Sequence, residues 1–186
     1  PGSRVSEIKY LAPVFTQAIN KLVLTDPDLE FLLPFASAKV RETFFEAVGE
    51  NTSLPQVRFL DGQARTALAA SDAALLASGT AALEAALVGC PMVVAYRVSA
   101  VSFWLARMLA TTRYVSMPNH LMPTPLVPEF LQDQADQSNL SGAIARLLTA
   151  PGHRNEMLQG LSGIRDTLQR DANHNIARLL GELAFE

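Results

Sequence analysis

Apolar and polar positions change period in blocks along the first two-thirds of the chain. From Ser6 to Leu24 apolar residues return every three or four positions, which predicts an amphipathic helix. The run Leu29-Glu30-Phe31-Leu32-Leu33 predicts a buried strand. A charged helix follows near Ala38–Val48, then a strand at Val57-Arg58-Phe59-Leu60, a turn at Asp61-Gly62 and a short helix over Ala64–Ala70. Ala73-Ala74-Leu75-Leu76-Ala77 reads as a short strand broken by Ser78-Gly79-Thr80. Ala81–Val88 is helical by composition, with Gly89 placed to end it and Pro91 just beyond. Met92-Val93-Val94-Ala95-Tyr96 returns as a buried strand. Strand, helix and strand at this spacing imply right-handed parallel crossovers, so the expected fold class is α/β with a doubly wound parallel sheet.

After Pro118 the texture changes. A Pro-rich loop holds Pro123, Pro125 and Pro128, and only helical patterns follow, near Ser138–Thr149, Arg154–Arg170 and Asn173–Leu183. The expected division is therefore an α/β unit over residues 1–134 and a helical extension over 135–186 that packs on it or on a partner chain. The opening Pro1-Gly2-Ser3-Arg4 reads as a loop with no strand and no initiator Met before it. We take the chain as truncated or processed, with a sheet edge left uncovered.

Composition narrows the class. The 186 residues are 49% apolar and 18% charged, which suits a globular chain with one sizeable core. The net charge of −3 gives no whole-chain case for nucleic acid, although Arg97, Arg107 and Arg113 lie close enough in sequence for a local basic patch. The single cysteine, Cys90, sits beside Pro91 at the edge of an apolar run and is expected to be a buried, inert thiol, in keeping with a reducing compartment. No apolar stretch is long enough to span a bilayer and no signal peptide opens the chain. His120, His153 and His174 are far apart without ligand spacing, so no metal site is expected.

Parallel sheets bind ligands where the carboxyl ends of strands feed helix N-termini. Two loops carry suitable chemistry. In Pro1-Gly2-Ser3-Arg4, Gly2 allows close backbone approach, Ser3 offers a hydroxyl and an N-cap, and Arg4 offers a forked donor for phosphate oxygens; a solvated Arg in an ordinary turn is the plainer alternative. In Ser78-Gly79-Thr80, small residues open a helix whose amides are accessible to an anion. Glu84 lies one turn further on in an otherwise apolar helix, able to accept from a ribose diol or merely to counter the helix dipole. There is neither a G-x-G-x-x-G fingerprint nor a Walker loop. The segment Val101–Leu109 reads either as a membrane-surface helix with Trp104 at headgroup level or as a helix packed on the core, and core packing is the preferred reading.

The run from Ala70 to Glu84 resembles the signature of the lipid-A-disaccharide synthase family. So do Pro1-Gly2-Ser3-Arg4, Cys90-Pro91-Met92-Val93-Val94, Tyr96-Arg97, Phe103-Trp104-Leu105-Ala106, Tyr114-Val115-Ser116 and Pro118-Asn119, in the same order over essentially the whole chain. The resemblance implies the carboxyl-terminal, Rossmann-like half of a GT-B glycosyltransferase, which holds a UDP-sugar donor and lacks its amino-terminal partner domain here. It implies transfer of 2,3-diacylglucosamine from UDP to 2,3-diacylglucosamine 1-phosphate, with inversion and without a metal or other cofactor, at the cytoplasmic face of the inner membrane. It also implies pairing of chains through the carboxyl-terminal helices.

By the same resemblance Arg4 and Ser3 contact the diphosphate, and Ser78, Gly79, Thr80 and Glu84 hold the nucleotide, Glu84 at the ribose. Asn119 lines the site from its loop, with Glu129 and Gln132 nearby. The chain departs from the family pattern after Pro118-Asn119. A Leu-Ala-Gly-Arg-like stretch is replaced by Leu121-Met122-Pro123-Thr124, removing a flexible turn and a cation. No residue here is a persuasive general base, and the resemblance puts a catalytic Asp in the other half, so binding without turnover is expected. A UDP-N-acetylglucosamine 2-epimerase, the peptidoglycan N-acetylglucosaminyltransferase or a non-catalytic association module are the alternatives.

Overall fold

A computed structural model describes residues 1–49, 52–109 and 114–184, with side chains described for all of these except 105–107, 109 and 169–184. Helix α1 (Val5–Thr25) is buried on two sides. Ile8, Ala12 and Ile19 face a cluster built on Phe35, Phe44 and Val57, whereas Leu11, Val14, Phe15, Ala18 and Leu22 face a larger cluster around Met92–Ala95. An apolar stripe that wide lets one helix bridge two cores.

Strand β1 (Phe31–Phe35) pairs in parallel with β2 (Val57–Asp61) across helix α2 (Ala38–Val48). β1 begins two residues later than the sequence suggests, because the turn after α1 engages the Leu29 amide with the Asp26 carbonyl. Phe35 and Phe44 meet edge to face at 5.4 Å between ring centroids, and Phe35 stacks on Phe59. The second sheet has the order β3 (Ala74–Ala77), β4 (Met92–Tyr96), β5 (Glu129–Leu131), all parallel. Helix α3 (Ala64–Ala70) leads into β3, and α4 (Thr80–Val88) crosses from β3 to β4 and ends at Gly89. The four central residues Met92 to Ala95 are fully buried, as expected for a strand covered on both faces. The fold is α/β with parallel strands, although the strands divide into a pair and a triplet rather than one continuous sheet.

Three expectations are corrected. The Pro-rich region holds a one-turn helix α6 (Met117–Leu121) and the strand β5, where only loop and then helix were expected. The two last helical patterns form one helix α8 (Pro151–Ala184) after α7 (Gln137–Thr149), because nothing near Asp171-Ala172 interrupts the backbone ladder. Helix α5 (Ala100–Leu109) is not packed on the core along its length: Val101, Trp104 and Met108 are 77%, 63% and 65% exposed, while Phe103 on the opposite side is half-buried. The same apolar period serves a core or a surface, and here the apolar stripe faces outward.

Candidate functional site

The carboxyl ends of β3, β4 and β5 open onto the loops that carry the candidate residues. Gly2 has φ +117°, a conformation that disfavours any side chain, and a Cβ placed there would lie 3.0 Å from Glu7 Oε2 and 3.3 Å from the Ala77 Cβ. The turn at residues 1–4 therefore sits directly against the end of β3, next to Ser78. Arg4, and not Ser3 as expected, is the N-cap residue of α1, and no side chain caps that helix. Ser3 is exposed. The first amides of α1 and the Arg4 guanidinium share one edge of the molecule.

Arg4 is held from behind. Its Nη1 donates to Glu7 Oε1 at 3.1 Å; the Arg side chain is 77% exposed and the Glu side chain 8%. Glu7 went unassigned in the sequence, although its position three residues after Arg4 on a helix was a readable signal. The pairing leaves the outer nitrogens of Arg4 for a ligand.

The second loop is placed by β3. The Ser78 amide extends the ladder to the Ala95 carbonyl, and the Ser78 Oγ donates to the Val115 carbonyl at 2.6 Å. Gly79, with φ +153°, is the N-cap residue of α4 and offers no side-chain cap. Gly79 and Thr80 are exposed, so the helix presents uncapped amides to solvent at the strand end. Glu84 is exposed one turn further along and makes no side-chain hydrogen bond or ion pair among the described residues.

Asn119, Glu129 and Gln132 behave differently. Asn119 is 2% exposed, and its amide is fully engaged: Nδ2 donates to the Val127 carbonyl and to Glu129 Oε1, while Oδ1 accepts from the amides of Leu126 and Val127. Glu129 accepts from Asn119, from the Ser116 amide and hydroxyl, and from the Val115 amide. Gln132, at φ +50°, makes a reciprocal pair of bonds with the Val98 backbone in the loop after β4. These residues stand at the site's rim as braces for loops. Ser116, fully buried and central to that network, was not foreseen as a site residue; its importance arises from Glu129, thirteen residues away.

Other features fall outside this edge. A cleft of about 660 Å³ opens at the ends of β1 and β2, lined by Phe35, Ser37, Arg41, Phe45, Asp61 and Gly62; it includes none of the expected site residues, and Arg41 and Asp61 in its lining form an ion pair. His120 is exposed with its ring edge-on to Tyr114. Cys90 is 2% exposed, and burial pushes its thiol up to about 11. Arg113 lies outside the described residues, as do the side chains of Arg107, His174 and the Asn173–Leu183 face, so neither the basic patch nor a helical pairing surface is described. No helix among the described residues is long and apolar enough to cross a membrane.

Parallel strands with crossover helices, and β3 feeding the uncapped N-terminus of α4, make this an α/β domain of the Rossmann-like kind found as one half of a GT-B architecture. The family model for lipid-A-disaccharide synthetase matches residues 1–178. The chain belongs to that family. It is 43% identical to the lipid-A-disaccharide synthase of Klebsiella pneumoniae (strain 342) over 184 residues, which is 99% of this chain and 48% of that protein. The enzymes of Shigella dysenteriae serotype 1 and Escherichia coli (strain SMS-3-5) are each 41% identical over the same shares. The chain thus spans about half the length of the curated relatives it matches.

Proposed function

We propose that this chain is the UDP-sugar-binding portion of a glycosyltransferase that moves 2,3-diacylglucosamine from UDP to 2,3-diacylglucosamine 1-phosphate and releases UDP. The observation that supports the reading is the approach of the residue 1–4 turn to the end of β3, where a Cβ at Gly2 would lie 3.3 Å from that of Ala77, one residue before the Ser78-Gly79-Thr80 loop. In this reading the two uncapped helix N-termini and the exposed Arg4 guanidinium serve a diphosphate.

In this reading the developing charge on the leaving UDP is met by Arg4 and by the amides at Val5 and Thr80, with no metal required. Such donors act most strongly where charge appears in the transition state. Glu84, exposed on α4, receives the ribose hydroxyls. Asn119, Glu129 and Gln132 hold the loops that carry these groups. The transfer inverts the anomeric carbon. The general base that takes the proton of the acceptor hydroxyl comes from the remainder of the full-length protein, so this chain alone binds UDP without turnover. The full-length protein works at the cytoplasmic face of the inner membrane, and pairs of chains join through α7 and α8.

Calorimetric titration with UDP, and with ADP as control, tests the reading. UDP is expected to bind, ADP to bind far more weakly, and Arg4→Ala and Glu84→Ala each to weaken UDP by about tenfold or more, the equivalent of roughly 1.4 kcal/mol. Equal affinity for the two nucleotides, or indifference to both substitutions, overturns the assignment. Disaccharide synthesis by this polypeptide alone overturns the separation of binding from turnover.

A further inference from the structure

Among the described residues Glu7 is the one charged side chain that is buried, at 6% exposure. It stands three residues after Arg4, in the first turn of α1, beside the buried Ile8 and Leu11. One of its oxygens, Oε1, accepts from Arg4 Nη1 at 3.1 Å. The other, Oε2, lies against the Gly2 turn, where a Cβ at Gly2 would come within 3.0 Å of it. The carboxylate therefore sits between the turn and the guanidinium, fixed from the helix side.

Neither folding stability nor the helix dipole accounts for that placement. Taking a carboxylate out of water is costly unless close partners repay it. Its ion-pair partner is a side chain 77% exposed, and pairs open to solvent contribute little to folding. An acidic residue in a first helical turn gains from the dipole, but a solvent-facing one gains it as well. What the geometry supplies is a fixed anchor for a long, exposed arm. A guanidinium carries five N–H donors in a rigid plane, and one bond to Oε1 leaves four of them. A free arginine loses rotamer freedom when it closes on an anion, whereas one already tied at Nη1 has less to lose.

We infer that Glu7 is a positioning residue: its buried carboxylate orients the Arg4 guanidinium toward the diphosphate without itself touching the nucleotide. The identity of the ligand rests on the functional reading above. The consequence runs against charge alone. Removing a carboxylate beside an anion strengthens anion binding by electrostatics, whereas removing the support of Arg4 weakens it.

Calorimetric titration of the full-length protein with UDP, and with uridine, which has no phosphate, reads the difference. Glu7→Ala removes the anchor. Glu7→Asp keeps the charge but shortens its reach by one methylene. Each should lower UDP affinity by roughly two- to tenfold, the cost of ordering one long side chain on binding. Uridine affinity should stay unchanged. In an Arg4→Ala background, Glu7→Ala should leave UDP affinity equal or raise it, because only the adverse charge is then left to remove.

Three results overturn the inference. One is UDP affinity unchanged or raised by Glu7→Ala in a protein that Arg4→Ala weakens, which sinks the positioning role alone. Another is an equal loss for UDP and uridine, which makes Glu7 a packing residue. The third is a loss that persists undiminished in the Arg4→Ala background. Arg4→Ala without effect on UDP is a different failure: it sinks the functional reading at Arg4, and the positioning role with it. A further measurement needs no change at Glu7. The Nη resonances of Arg4, assigned by their loss in Arg4→Lys, should be split by hindered rotation before UDP is added, and a single averaged resonance overturns the inference.

Discussion

Replacing Asn119 separates a brace from a ligand-binding residue. Asn119→Ala removes four hydrogen bonds of 2.6–2.8 Å from a side chain that is 2% exposed. A typical net contribution is about 1 kcal/mol per bond, and more where the partner is charged, as Glu129 is. The buried Val127 carbonyl and amide are left without their partner, so little is regained from water. The expected cost is roughly 3–5 kcal/mol, a large fraction of the stability of an ordinary domain. For a chain of this size that lowers the melting temperature by about 10–15 °C.

Asn119→Asp preserves shape but sets a carboxylate where Nδ2 now donates to Glu129 Oε1 at 2.6 Å. Two carboxylates at that separation raise each other's proton affinity. Sign follows directly: the protonated form can donate as the amide does, so this variant regains stability as pH falls into the carboxylate range and loses it as pH rises above that range. Differential scanning calorimetry across pH measures both effects, and UDP titration at a temperature where the variants remain folded measures binding. The reasoning is refuted if Asn119→Ala melts like the unsubstituted protein, or if Asn119→Asp is equally stable at all pH values. If stability holds while UDP binding disappears, Asn119 is a direct ligand residue after all.

Two further outcomes are expected. Cys90 is protonated in the folded chain up to about 11, against an ordinary value of 9.0, because burial penalises the thiolate. The folded-state value is the higher one, so its contribution is complete below pH 9 and is lost as pH rises through about 11; the loss totals about 3 kcal/mol, read by denaturant melts, and Cys90→Ala flattens it. Gly2→Ala puts a Cβ 3.0 Å from Glu7 Oε2 at φ +117°, which strains the turn by about 1–3 kcal/mol, and UDP affinity should fall by roughly tenfold; unchanged affinity removes that turn from the site.

What the sequence made legible, and what it did not, follows from the range of each signal. The helix at Ala64–Ala70 and the strand at Met92–Tyr96 were readable to the residue because periodicity and bounding turns are local. β5 was not, since three residues between Pro128 and Gln132 carry no period, and the strand exists only because Val94–Tyr96 lies beside it. The outward stripe of α5 was misread as core for a related reason: burial depends on what packs against a helix, which an apolar pattern alone does not specify. The chemistry-bearing types at Asn119, Glu129 and Gln132 were visible, but not that their polar atoms are already occupied by backbone partners 34 or fewer residues away.

Those occupied atoms connect the late strand to the front of the site. β5 sets the position of Glu129, Glu129 holds the amides of Val115 and Ser116, and the Val115 carbonyl holds the Ser78 hydroxyl one residue before the N-cap of α4. Each link is short and at least part-buried, so displacement at one end has little slack to absorb it. The uncapped amides at Thr80 are therefore placed by a carboxylate 49 residues later in sequence as much as by their own loop. On this argument Glu129 influences an anion at α4 without touching it, and its effect should reach the nucleotide only through the Ser78 loop.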